Sequence, residues 1–178
     1  MNIGKIIAAT RNGSEFDAAC QSEVNIIFDL APDLNLLSER LEKAHINGKK
    51  LFIHLDLANG IGKDESGIIF LKKLGIDGII STRVNIIKAA REHGIFTVQR
   101  FFIVDSHSIS TTLESIKASK ADMIEIMPGT VSKVIRSLCI TTSTPIIAGG
   151  LIETQAEISE AITNGAAAVS TGKKELWK

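Results

Sequence analysis

Four ionisable side chains interrupt otherwise apolar stretches of this chain. His54 and Asp56 lie two residues apart in one stretch, Glu125 lies in the middle of a second, and Arg100 lies near the end of a third. Residues two apart on a β-strand share a face, so the alternation predicts that His54, Asp56 and Glu125 point away from the aliphatic side chains. A buried charge is unfavourable unless it is paired or binds a ligand. These four residues are therefore candidate ligand-binding groups.

Arg100 needs a partner, because a guanidinium is always charged. One interpretation is a fork that binds a phosphate or a carboxylate. The other is an internal ion pair with Glu125 or Asp29. Gln99 precedes Arg100, so on a regular strand at most one of the two points inward.

The other three residues allow two further kinds of chemistry. His54, Asp56 and Glu125 are all potential metal ligands, but their spacing matches no metal motif, and we predict no metal. The same side chains could serve an enzyme as general acid and base. The chain has no lysine in the middle of a predicted strand and no nucleophile-elbow motif, so these residues alone do not identify a reaction.

Glycines and small hydroxyl residues follow the last two predicted strands. Gly149 and Gly150 end the seventh strand, and Ser170, Thr171 and Gly172 end the eighth. Glycines let backbone N–H groups approach an anion, and hydroxyls add donors. The loops after strands seven and eight of a parallel barrel frequently bind phosphate. The pattern predicts a phosphate site here, although tight turns alone would also require glycines.

Eight short apolar runs must position these side chains. Their starts recur every 18 to 27 residues, the length of a βα unit with short loops. Eight units indicate an α/β fold, a compact parallel (β/α)8 TIM-type barrel with short helices and loops, as a single domain over residues 1–178. An open doubly wound sheet uses the same units, but no Gly-x-Gly-x-x-Gly turn follows the first run. The runs are residues 6–9, 25–30, 51–57, 78–81, 96–102, 123–127, 145–148 and 167–170.

Glycines and capping residues mark the helices between the runs. Residues 35–47 carry one apolar stripe and form a predicted helix. Gly75 and Gly94 each follow a basic last turn, as at a helix end. Thr154 and Glu157 have the spacing of a capping box.

Composition limits the possible partners and location. The chain has 178 residues and formal net charge zero, with 20 Lys+Arg against 20 Asp+Glu, which argues against a permanent polyanion binder but not against a local basic patch. No apolar run reaches the ~18 residues of a membrane span, and no signal-peptide pattern is present, so we expect a cytoplasmic protein. Cys20 and Cys139 lie in apolar, helix-like contexts and are predicted to be buried thiols.

Several segments together resemble the bacterial glycerol-3-phosphate-responsive antiterminator family, the glycerol uptake operon antiterminator regulatory proteins. The similarity extends from Ile7 to Trp177. Asp29 and Gly172 depart from the family pattern, which favours an apolar or neutral residue and a polar residue there. The segments are FIHLDL at 52–57, GIGKD at 60–64, GIIST at 78–82, QRFFIVDS at 99–106, EIMPG at 125–129, IAGGLI at 147–152, AVST at 168–171 and KELW at 174–177.

The resemblance implies a regulator and not an enzyme. The family binds glycerol 3-phosphate as an effector, without a cofactor, and then binds leader mRNA of glycerol-utilisation genes to prevent premature termination. The resemblance implies that the phosphate of the ligand binds near Gly149, Gly150, Ser170 and Thr171, and that its hydroxyls contact some of His54, Asp56, Arg100 and Glu125. It also implies that loops 58–63 and 105–108 become ordered when the ligand binds. A neutral chain would bind RNA through a local patch or through a homo-oligomer.

Two pairs of basic residues are candidate RNA contacts. Lys88 and Arg91 are three apart after the fourth run, and Lys133 and Arg136 are three apart after the sixth. Either pair could meet RNA phosphates, but a solvated helix surface is the ordinary interpretation. The alternatives to a regulator of this kind are a small isomerase, synthase or phosphodiesterase acting on a phosphorylated metabolite, and a ligand-binding module that acts through a protein partner.

Overall fold

A closed barrel of eight parallel strands forms the centre of the protein. The computed structural model describes residues 4–178. Each strand pairs with its neighbour in chain order, and β8 closes on β1. The predicted TIM-type barrel is confirmed. The strands are β1 (Ile6–Thr10), β2 (Ile26–Asp29), β3 (Lys50–His54), β4 (Gly78–Ser81), β5 (Phe96–Phe102), β6 (Met123–Met127), β7 (Ile146–Gly149) and β8 (Ala168–Thr171).

Helices follow the first seven strands, except that β3 is separated from its helix by a short 3-10 turn. The eighth strand is followed by a second 3-10 turn in place of an α-helix. This shortening helps a (β/α)8 barrel to fit into so short a chain. The helices are α1 (Gly13–Gln21), α2 (Leu34–Ile46), α3 (Glu65–Leu74), α4 (Val84–Glu92), α5 (Ser106–Ser119), α6 (Ser132–Thr141) and α7 (Gln155–Thr163), and the 3-10 turns are Leu55–Leu57 and Lys174–Leu176.

The predicted helix boundaries agree with the structure. Gly75 ends α3 in the left-handed conformation, with φ +91°, which a side chain would strain. Thr154 and Glu157 form the reciprocal capping box at the start of α7. The longest helix, α5, has 14 residues. In the described part of the chain, no helix is both long enough and apolar enough to cross a membrane.

Strand alternation divides the core into two layers. Inside the barrel the Phe28 and Phe52 rings stack, with centroids 5.7 Å apart. Gly78 makes room for the second ring, because a Cβ there would lie 2.6 Å from it. The intervening residues, such as Ile27 and Ile53, pack outward against the helices. The carboxyl end of the barrel therefore lies above a filled apolar interior.

The two cysteines are free thiols in different surroundings. Cys20 on α1 is buried, as predicted. Cys139 on α6 is only half-buried, so that prediction is wrong in part; it borders a surface groove together with Gly165. Burial raises the pKa of both thiols.

Candidate ligand-binding site at the barrel mouth

A cavity of about 340 Å³ opens at the carboxyl ends of the strands. Its walls come from β1, β5, β6 and β8 and from the loops that follow β1, β2, β7 and β8. This is the end of a parallel barrel where ligands bind. Six of the residues predicted from the sequence line it: Arg100, Glu125, Gly150, Ser170, Thr171 and Gly172.

A buried hydrogen-bonded group joins three of these residues. Arg100 Nε donates to Glu125 Oε2 at 2.6 Å, and the Ser170 hydroxyl donates to Glu125 Oε1 at 2.5 Å. Arg100 and Glu125 are also partners in the β5–β6 register. The ion-pair interpretation of Arg100 is therefore correct, with Glu125 as the partner. Because Arg100 also lines the cavity, the ion pair does not exclude contact with a ligand.

The two glycines after β7 have different roles. A Cβ at Gly149 would overlap Glu125 Oε1 and Ser170 Oγ, so this glycine admits the buried group and does not line the cavity. Gly150 lines the cavity with φ +72°, and a Cβ there would lie 2.6 Å from Met127 Cε. Both positions require glycine, but only Gly150 lines the cavity.

The predicted hydroxyl donors are engaged within the protein. The Thr171 hydroxyl donates to the Ile152 carbonyl oxygen at 2.7 Å and accepts from the Lys173 backbone N–H at 3.1 Å. The Ser170 hydroxyl is bound to Glu125. These two side chains hold the loops after β7 and β8 in place. An anion would thus depend on other donors.

Backbone N–H groups supply such donors. Those of Gly150, Leu151 and Gly172 have no acceptor among residues 4–178, and all three residues line the cavity. Leu151 has φ +59° and follows Gly150 in the left-handed region, so two successive residues turn sharply at the cavity wall. Successive N–H groups in such a turn can form a concave anion-binding surface.

Arg11 and Lys173 also line the cavity, and no pattern in the sequence marked them as candidates. Arg11 follows β1 and lines the cavity, and its Nη1 would lie 3.7 Å from a Cβ at Gly172. Its guanidinium has no ion-pair partner within residues 4–178. Lys173 lies 3.3 Å from Glu153, and both side chains are about half exposed. The signal that could have found them is their position, directly after a strand at the carboxyl end of the barrel.

The cavity carries a net positive charge. Arg11, Arg100 and Lys173 are its cations, and Glu125 and Glu153 are its carboxylates. The Arg100–Glu125 pair is internally neutral, so one cation remains in excess near the unpaired backbone N–H groups. The arrangement favours an anionic ligand.

His54 ends β3 at the mouth, on the inward face that Phe52 also uses, but it does not line the cavity. It is 3 % exposed, and its Nδ1 has no hydrogen-bond partner within the described residues. Burial, followed by the nearby Arg100 charge, lowers the pKa of His54 to about 4. The imidazole is therefore neutral at pH 7.

Asp56 does not share the inward face with His54, and that prediction is wrong. β3 ends at His54, and Asp56 lies in the 3-10 turn, where strand alternation no longer applies. Its carboxylate accepts from the Ser81 hydroxyl at 2.7 Å and from the Thr82 N–H and hydroxyl at 2.7 and 2.9 Å. These hydrogen bonds outweigh burial and lower the pKa of Asp56. Within residues 4–178, no group of three or more His, Cys, Asp or Glu side chains could hold a metal ion.

Asp29 is the other acidic residue at a strand end. It points outward and forms an ion pair with Arg40 Nη1 of α2 at 2.5 Å. The Arg40 guanidinium lies 5.4 Å from the centre of the Phe16 ring. Asp29 thus joins the barrel to its helices and is not the partner of Arg100.

The two predicted basic pairs lie on the outer surface. Lys88 and Arg91 are exposed on α4, and Lys133 and Arg136 are exposed on α6. None of the four forms an ion pair with another described residue. Helix α5 lies between the two pairs, since it contacts both α4 and α6.

Residues 6–177 match the sequence profile of the family described as glycerol-3-phosphate responsive antiterminator. A glycerol uptake operon antiterminator regulatory protein from Listeria monocytogenes superposes with TM-score 0.92 at 34% identity, covering 97% of this chain and 94% of that one. A glycerol uptake operon antiterminator-related protein from Thermotoga maritima superposes with TM-score 0.87 at 33% identity, covering 98% of each chain. The protein YgcP of Escherichia coli K12, described as uncharacterized, is 37% identical over 173 residues, covering 97% of this chain and 91% of YgcP. The chain belongs to the glycerol-3-phosphate responsive antiterminator family.

Proposed function

We propose that this protein senses glycerol 3-phosphate and, in the ligand-bound state, binds leader mRNA and prevents premature termination at glycerol-utilisation genes in the cytoplasm. The observation that carries the proposal is the net-positive cavity with unpaired backbone N–H groups, found in a member of a family described as responsive to glycerol 3-phosphate. Phosphate is the ligand group that such donors suit best.

The phosphate of the ligand binds at the β8 side of the cavity. The N–H groups of Gly150, Leu151 and Gly172 donate to its oxygens, and Arg11 and Lys173 supply positive charge. Charge-assisted hydrogen bonds of this kind are roughly twice as strong as neutral ones. They distinguish the phosphate ester from free glycerol.

The glycerol end points toward β5 and β6. There Glu125 accepts hydrogen bonds from the ligand hydroxyls, and Arg100 donates to them. Because the Arg100–Glu125 pair is neutral as a whole, the phosphate is attracted more strongly to the Arg11 side of the cavity, and this sets the orientation of the ligand. Polar groups at both ends make the site selective for a small phosphorylated polyol.

The geometry supports a binding protein over an enzyme. An enzyme would use His54, Asp56 and Glu125 as acid and base, and these side chains do not converge on the cavity. His54 and Asp56 do not line it, and Glu125 already holds Arg100 and Ser170. Binding energy in this site is available to favour one state of the protein over another.

Calorimetric titration of the wild type and two Gly172 variants tests the ligand site. Gly172 is not among the glycines with positive φ, and a Cβ there would meet nothing closer than 3.5 Å, whereas Gly150 has φ +72° and a Cβ there would crowd Met127. Gly172→Asp places a carboxylate beside the phosphate, and the neutral Gly172→Asn is its matched control. We expect Gly172→Asp to bind glycerol 3-phosphate on the order of a hundredfold more weakly than Gly172→Asn.

The same titration with free glycerol and with inorganic phosphate separates the two ends of the site. We expect the ester to bind more tightly than either part. Absence of saturable heat with millimolar glycerol 3-phosphate contradicts the ligand assignment. Equal affinity of the Asp and Asn variants means that the phosphate binds elsewhere. The RNA half of the proposal is tested with the variants described below.

A further inference from the structure

Six exposed cations lie on three consecutive helices, and none of them forms an ion pair or a side-chain hydrogen bond within residues 4–178. Exposed acidic residues on the same surface are few, with Glu92 on α4 and Glu114 on α5. The surface therefore has a positive excess although the whole chain is neutral. The cations are Lys88 and Arg91 on α4, Lys117 and Lys120 on and directly after α5, and Lys133 and Arg136 on α6.

Of the fourteen Lys and Arg residues outside this surface, six form an ion pair with a described acidic residue, whereas none of the six on it does. Lys43 pairs with Asp17 at 2.7 Å, and Lys50 pairs with Asp77 at 2.9 Å. Such pairs have little charge left to attract a partner. The unequal pairing explains how zero net charge and a basic surface occur together.

The basic surface contains a groove between α4 and α5, which we call the α4–α5 groove. It has a volume of about 400 Å³, and its charged lining consists of the cations Lys88, Arg91 and Lys120 and the carboxylate of Glu92, a net positive charge. Lys117 lies one turn before Lys120 on α5. The two helices thus present three unpaired cations in the groove and a fourth, Lys117, on the surface beside it.

Lys133 and Arg136 on α6 do not share a groove with other cations. The groove beside Arg136 is formed otherwise by neutral groups, including Cys139, Thr163 and Asn164. Lys133 does not line it. A polyanion would find one cation in that groove and three in the α4–α5 groove.

We propose that the α4–α5 groove binds the phosphodiester backbone of RNA through Lys88, Arg91, Lys117 and Lys120. The identity of the partner rests on the proposed function, whereas the location rests on the unpaired cations. The groove has no aromatic lining, so it provides phosphate contacts and no base-stacking platform. It therefore recognises the backbone of RNA and fixes its orientation.

A mobility-shift titration tests the groove. The RNA is a leader transcript from a glycerol-utilisation operon of the same genome, and binding is measured at several salt concentrations, with and without glycerol 3-phosphate. The variants are Lys88→Ala/Arg91→Ala and Lys117→Ala/Lys120→Ala. We expect each to weaken wild-type binding about tenfold at 0.15 M salt. The slope of log affinity against log salt should become shallower by about 1.4, because each lost phosphate contact contributes about 0.7.

Two double variants are matched controls for the loss of charge. Lys72→Ala/Lys73→Ala removes two exposed cations of α3 that form no ion pair within the described residues, and Lys133→Ala/Arg136→Ala removes the α6 pair. We expect the α3 control to change affinity less than threefold, and the α6 control to change it less than either groove variant. Unchanged glycerol 3-phosphate binding shows that each variant is folded.

The outcomes separate the two proposals. A wild type that fails to bind leader RNA in the presence of glycerol 3-phosphate contradicts the proposed function. A wild type that binds while both groove variants bind equally well, or no worse than the controls, overturns the groove assignment and leaves the proposed function standing.

Discussion

Glu125 connects the ligand cavity to the buried part of the barrel. Each of its oxygens accepts a hydrogen bond, one from Arg100 and one from Ser170. The side chains of Arg100 and Glu125 are only 6% and 1% exposed. Buried ion pairs seldom stabilise a protein more than apolar groups of the same shape, because desolvation offsets their attraction. Their presence at the cavity wall is therefore better explained by ligand binding than by stability.

Removing one partner of the Arg100–Glu125 pair should lower the free energy of unfolding more than removing the charges of both. Arg100→Met leaves the Glu125 carboxylate buried without its cation, and we expect the free energy of unfolding to fall by about 3–5 kcal/mol. Arg100→Met/Glu125→Gln removes both charges and keeps an acceptor for the Ser170 hydroxyl, so its free energy of unfolding should fall by less. Urea denaturation of the wild type and both variants measures the difference. An equal loss in the two variants contradicts this account.

Charged residues inside strands are easier to recognise from the sequence than charged residues just after them. Arg100 and Glu125 were identifiable because a charge in an apolar run is conspicuous. Arg11 and Lys173 lie in loops, where strand alternation gives no direction, and their long side chains reach the cavity from there. Asp56 was assigned the wrong direction because nothing in its apolar run marks the end of β3 two residues earlier.

At the scale of elements, β5 supports both the ligand cavity and the basic surface. Arg100 points into the barrel, and its neighbour Gln99 points outward between the barrel and its helices, as strand alternation predicts. Gln99 is fully buried, and neither its amide oxygen nor its amide nitrogen has a partner among the described residues. A buried polar group without a partner destabilises the folded state. β5 therefore carries an unfavourable group next to a site residue.

Replacing Gln99 with an apolar residue of similar size should stabilise the protein. Gln99→Leu removes the two unpartnered atoms while it retains most of the volume, and we expect the free energy of unfolding to rise by about 1–2 kcal/mol. Urea denaturation measures this change, and Gln99→Glu is the control, since a buried carboxylate there should lower stability. If Gln99→Leu is less stable than the wild type, the amide has a partner such as a bound water.

The order and type of the elements were predictable, and their contacts across the barrel were not. Hydrophobic periodicity and capping residues identify eight strands and the ends of α3 and α7, because these signals are local. The α4–α5 groove combines residues 88–91 with residues 117–120, which lie far apart in sequence. The four cations become one surface only when β5 and its loops place α5 beside α4.

In the molecule as a whole, the two candidate surfaces lie well apart although the chain is short. The cavity lies at the carboxyl ends of the strands, and the α4–α5 groove lies on the outside near the C-terminal ends of both helices, which run back toward the opposite end of the barrel. A ligand in the cavity can alter RNA binding only if it favours one conformation of the intervening structure. β5 is a direct physical connection, because Arg100 lines the cavity and α4 packs against the same strand.

The closed barrel is expected to unfold as one cooperative unit, so one buried histidine should affect the stability of the whole molecule. Burial and the charge of Arg100 hold the pKa of His54 at about 4, below the ordinary value of 6.5, so the unfolded chain binds a proton at this site more readily than the folded protein. Stability should therefore fall as pH decreases from about 6.5 to about 4, with a contribution from His54 of about 3 kcal/mol. Asp56 and Asp77 change stability only below this pH range, because their pKa values are lowered from an ordinary value of 3.8. Urea denaturation between pH 4 and 7 should show a weaker pH dependence in His54→Asn, and identical pH profiles would mean that the pKa of His54 is the same in the folded and unfolded states.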